Sequence, residues 1–101
     1  MEYNEIFRLK EMLEREGIPF EFIDLHGQLL DGWQICYPSR DTDLRCSVIE
    51  HKFSYSNGAD KLEIMGLLTK EERAGGDSVV GWLTVDDVFQ RIKKHWEANA
   101  A

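Results

Sequence analysis

The polar residues best placed for chemistry fall in or beside one stretch, residues 45–68, RCSVIEHKFSYSNGADKLEIMGLL. Glu50 and His51 lie there amid apolar neighbours, as a carboxylate and an imidazole serving acid–base work would. Their adjacency decides against a local dyad, because neighbours on a strand point to opposite faces. A second set combines Tyr37, Ser39 and Arg40 at a strand end with Arg45 at the start of the next. Ser54, Tyr55 and Lys61 form a third set at the far end of the same hairpin. Aromatic faces with guanidinium, hydroxyl and ammonium groups suit a ligand made of a flat ring and a phosphate. The second and third sets sit at opposite ends, so only one of them, or a contact between subunits, can serve one ligand. The three histidines, His26, His51 and His95, show no ligand spacing, and no metal or cofactor is indicated. Nucleophile-elbow, phosphate-loop, dinucleotide-fingerprint and HExxH patterns are all absent from the sequence. An enzyme therefore has no positive motif behind it.

The elements that position these groups follow from periodicity. Residues 4–16 repeat Ile6, Leu9 and Leu13 at helical spacing, with Asn4 as N-cap. Gly17 takes the left-handed position after the helix, Ile18 folds back on Leu13, and Pro19 stops the helix. Residues 20–24 and 33–37 alternate as strands, the second placing Trp33, Ile35 and Tyr37 on one face and Gln34 and Cys36 on the other. Asn57-Gly58 is a strong two-residue hairpin signal. A type I′ turn there pairs Ile49 with Gly66, His51 with Ile64 and Phe53 with Leu62. That register puts His51 on the core face and Val48, Glu50, Met65 and Leu67 on the other, with Lys52 opposite Glu63. A longer loop shifts the pairing and exchanges the two faces. Residues 69–78 read as a polar, flexible connection. Val79 and Val80 then lead into a helix capped by Thr84, with Val85, Val88, Phe89, Ile92 and Trp96 as its apolar stripe. The expected fold is α+β: a four-stranded, mainly antiparallel meander between an N-terminal and a C-terminal helix, αββββα. Both helices cover one sheet face, and the other is left for oligomer or partner contacts.

A chain of 101 residues, 43% hydrophobic and 31% charged, is expected to fold as one domain with one modest core. Its net charge of −7 argues against nucleic acid or an anionic membrane surface as partner, both of which need a basic footprint. A local pocket for one small anion remains compatible with that charge. Cys36 and Cys46 read as buried free thiols of a reducing compartment. No apolar run reaches the ~20 residues of a membrane span, and the first ten residues lack a signal-peptide apolar region. A cytoplasmic location is expected.

Taken together, GIPFEF, YPSR, CSVIEHKFSYSNGADKLEIMGLL and LTVDDVFQRIKKHW resemble small uncharacterised proteins of bacteriophages and prophages of Firmicutes. The resemblance covers almost the whole chain but includes no catalytic motif, so it transfers no residue roles. It implies a phage accessory protein in the host-cell cytoplasm, of the kind that counters bacterial defence. The leading expectation is a homo-oligomeric, non-enzymatic sponge for a nucleotide-like signal, with Tyr37, Ser39, Arg40, Arg45, Glu50, His51, Tyr55 and Lys61 as candidate ligand-binding residues. An inhibitor binding a host protein through the open sheet face is the alternative. A small hydrolase using Glu50 or His51 is a third reading.

Overall fold

The computed structural model describes residues 4–25, 32–41, 43–51, 62–76 and 78–99. Helix α1 (Asn4–Glu16) opens the chain, followed by strands β1 (Glu21–Asp24), β2 (Gly32–Tyr37), β3 (Cys46–His51) and β4 (Leu62–Met65). A short helix α2 (Lys70–Ala74), strand β5 (Val79–Leu83) and helix α3 (Val85–Asn99) complete it. The sheet is antiparallel throughout, in the order β1-β2-β3-β4-β5. The α+β class and the helix at each end agree with expectation, but residues 79–83 form a fifth strand of the meander in place of a simple approach to the last helix.

Local chemistry explains the helix ends. At the end of α1, Gly17 has φ +70°, its N–H donates to Glu14 O at 3.2 Å, and the Ile18 N–H donates to Leu13 O at 3.0 Å. This is the paired backbone closure that a left-handed glycine permits. Thr84 caps α3 by accepting from the Asp87 N–H at 3.1 Å. Residues 69–74 are not a plain connection. Thr69 Oγ1 accepts from the Glu72 N–H at 3.2 Å while the Thr69 N–H donates to Glu72 Oε1 at 2.8 Å, a reciprocal capping box.

Cross-strand pairs fix the faces. Val48 lies between Ile35 and Ile64, and Cys46 lies beside Tyr37. With Leu62, these residues meet Ile6, Leu9, Leu13, Val88 and Ile92 in one buried core beneath α1 and α3. The hairpin register therefore differs from the type I′ expectation. Ile49 pairs with Glu63 in place of Gly66, a shift of three residues. An odd shift exchanges the faces, so Val48 (0% exposed) and Glu50 belong to the helix-covered side. The Asn57-Gly58 turn, Phe53 and the Lys52 partner expected for Glu63 lie outside the described residues. Leu67 is not on the open face either. It follows β4 in a left-handed conformation (φ 54°) and packs against the core. The open face carries Ile23, Gln34, Cys36, Ser47, Ile49, Glu63, Met65 and Val79, with Met65 54% exposed as anticipated. Cys36 and Cys46 are free and buried, on opposite sides of the sheet.

Candidate functional site

The end of the sheet where β3 begins and β4 finishes is shaped by three close approaches. The Arg45 N–H donates to Tyr37 O at 2.8 Å, closing the β2–β3 connection. Gly66, at φ +96°, lies so near the Arg45 carbonyl that a Cβ there would collide with it. This is a backbone contact that only glycine allows. Leu67 then turns left-handed, and its carbonyl accepts from Arg91 Nη1 of α3 at 3.1 Å. Arg91 also grips Glu72 of α2 through two parallel contacts of 2.9 Å and Asp87 through Nε at 3.0 Å. The bidentate pairing with Arg91, together with the Thr69 N–H, holds the Glu72 carboxyl down to about 2. One guanidinium thus ties α2, the turn after β4 and α3 together.

These tethers frame an open cleft with two joined lobes. The larger, about 540 Å³, is lined by Arg45, Gly66, Leu67, Leu68, Arg73 and His95. The smaller, about 360 Å³, shares Leu67, Leu68 and His95 and extends to Lys94 and Ala98. The floor is apolar and the rim cationic, in a chain whose net charge is −7. Arg45 is ion-paired with Asp43, whereas Arg73 and Lys94 have no ion-pair partner among the described residues. Both lobes fall within the ~300–1,000 Å³ range of small-molecule sites.

Tyr37 supports this cleft from below. It is 1% exposed, its hydroxyl lies 2.8 Å from His95 Nδ1, and the two rings meet edge to face at 5.5 Å. Burial pushes the Tyr37 phenol up, so it stays protonated at neutral pH. When that hydroxyl donates to Nδ1, the neutral imidazole carries its proton on Nε2.

The structure separates the residues expected to bind ligand. Arg45 lines the cleft and Tyr37 underlies it. Arg40 is exposed, and its backbone N–H donates to Glu21 Oε2 at 2.9 Å. Ser39 is half-buried in the β2–β3 connection. Glu50, near the other end of β3, is 7% exposed and accepts from the Ile6 N–H at 3.1 Å, fastening the first turn of α1 to the sheet. The His51 backbone pairs with Gly32, while its side chain lies outside the described residues, as do Tyr55 and Lys61. The sequence offers His95 only as one of three histidines without ligand spacing, and nothing in it singles out Arg73 or Lys94. Basic residues near the end of a helix, such as Lys94, are sufficiently explained in a sequence by the helix dipole. Among the described residues no group of three or more His, Cys, Asp or Glu side chains could hold a metal ion. No described helix is long and apolar enough to cross a membrane. No family model, curated protein or solved structure matches this chain.

Proposed function

We propose that the protein is a non-enzymatic binder that sequesters a small nucleotide-like signal in the Arg45/Arg73/His95 cleft, as a phage-type counter-defence factor in the host cytoplasm. The observation behind this reading is a cationic rim over an apolar Leu67–Leu68 floor in an otherwise acidic chain. Guanidinium and ammonium groups supply affinity for phosphate, and the apolar floor accepts a flat ring. The hydroxyl that meets His95, that of Tyr37, is buried beneath the cleft and out of a ligand's reach, which fits capture better than turnover. A homo-oligomer remains part of the reading, through the open sheet face. Calorimetry against mononucleotides, cyclic nucleotides and ADP-ribose derivatives tests it, with mass spectrometry of the recovered ligand. At least one compound is expected to bind at micromolar affinity or better and to return unchanged. Silence across the panel, or a converted ligand, overturns the proposal.

The open face supports a second reading, in which a host protein is inhibited by contact with the sheet. Met65 stands 54% exposed there beside half-buried Ile49 and Val79. A host protein retained by the wild type but lost with Met65→Glu would favour this reading. Retention by both would remove the sheet face from it.

A further inference from the structure

The two lobes differ in chemistry, and the difference gives a ligand in the cleft a direction. The larger lobe is lined by Arg45 and Arg73, facing surface that is polar and apolar in similar measure, while the Arg91 guanidinium that lines the smaller lobe is taken up by Glu72, Asp87 and the Leu67 carbonyl. The smaller is mainly apolar, with Lys94 at its rim and Ala98 beyond Leu67 and Leu68. His95 lines both lobes. Its Nδ1 is committed to the buried Tyr37 hydroxyl, so Nε2 is the ring nitrogen left for a ligand. The wall between α2 and α3 is held by Arg91 through Glu72 and the Leu67 carbonyl, so the lobes meet at a fixed junction.

We infer that the cleft recognises a phosphomonoester carried on a flat, weakly polar ring, with the phosphate toward Arg45 and Arg73 and the ring over Leu67 and Leu68 toward Ala98. Two guanidinium groups line this lobe, Arg45 shared with Asp43 and Arg73 with no ion-pair partner among the described residues, and guanidinium suits the charge and oxygens of a terminal phosphate. The smaller lobe removes a ring face from water, while Thr69, Arg91, Lys94 and Asn99 along it set polar groups at the ring's edge. Discrimination for the phosphate should therefore be strong, and discrimination among rings depends on how far those polar groups are used. His95 lines both lobes, and its Nε2 would serve the bridging oxygen or a sugar hydroxyl. This assignment rests on the proposed small-molecule function and specifies the ligand's chemistry and orientation.

Nucleoside 5′-monophosphates, the parent nucleosides, a naphthyl phosphate and inorganic phosphate form the test panel. They are titrated into the wild type, Arg73→Ala and Ala98→Glu, both changes being at exposed positions, with thermal unfolding to confirm that each variant is folded. Monophosphates are expected to bind at least 30-fold more tightly than nucleosides. Arg73→Ala should weaken monophosphates at least tenfold and leave nucleosides unaffected, whereas Ala98→Glu should weaken both. Naphthyl phosphate binding as well as the nucleotides marks the ring as read by shape alone; nucleotide preference marks the sugar or base edge as read too. Both of these results support the orientation. Equal affinity for nucleosides and monophosphates, or indifference to Arg73→Ala, overturns it. If cyclic or ADP-ribose ligands bind while monophosphates do not, this inference falls and the sequestration proposal stands. If nothing binds, both fall.

Discussion

Arg91 shows how much one side chain organises here. It reaches the Leu67 carbonyl, both oxygens of Glu72 and a carboxylate oxygen of Asp87, with only 15% of its side chain exposed. Glu72 is 20% exposed and pays for its partial desolvation through two charge-assisted hydrogen bonds. Because its folded pKa is depressed from 4.5 to about 2, its stabilising effect is complete above about pH 4.5 and fades as the pH falls toward 2. Glu72→Gln is therefore expected to lower stability by about 1–2 kcal/mol at neutral pH, after allowance for solvent screening. Urea unfolding at several pH values should show the gap between wild type and variant closing toward pH 2. A gap independent of pH would mean that the guanidinium acts by packing alone. Only the Asp87 contact, four residues away, is legible in the sequence; the other partners of Arg91 are 19 and 24 residues away. The role of His95 is hidden in the sequence for the same reason: the Tyr37 hydroxyl it meets is 58 residues distant.

At the scale of elements, segments with a clear period are legible, the two long helices and the alternating strands β1 and β2, and short elements without one are not. Helices α1 and α3 run 13 and 15 residues, long enough for a 3.6-residue stripe to repeat and for caps to confirm it. Helix α2 has five residues, too few for any period, although Thr69-x-x-Glu72 spells a capping box. Strand β5 is VVGWL, an apolar run whose glycine breaks alternation and whose successor, Thr84, announces a helix. The β3–β4 register was harder still, since it rested on assuming one turn type, and an odd slip moves every side chain across the sheet. The observed pairing makes a quantitative claim. Val48→Ala should cost about 2 kcal/mol, because Val48 is fully enclosed between Ile35 and Ile64, and Ile49→Ala about half as much on its half-buried face. Chemical denaturation of the two variants checks this; the reverse ranking would reinstate the type I′ register.

Across the whole molecule, sequential strands lie side by side and both long helices share one core. The single core joins residues of α1, α3 and at least four strands, so global opening is expected to be cooperative. The sequence made this architecture accessible because its order of apolar segments leaves few alternatives to a meander. It could not show which groups the meander brings to the sheet end, since the cleft draws on β3, the β4–α2 turn, α2 and α3 together. The cysteines bear on the same cooperativity. Cys36 lies beneath the open face and Cys46 beneath the helices, each at most 2% exposed. Burial raises both thiols, Cys46 to about 12, so neither offers much thiolate to a labelling reagent while the fold is closed. They are two clocks set into opposite walls of one sheet. Modification rates, corrected for each thiol's reactivity in the unfolded chain, should yield the same opening free energy for both. A faster Cys46 would reveal the helical layer lifting away from an intact sheet.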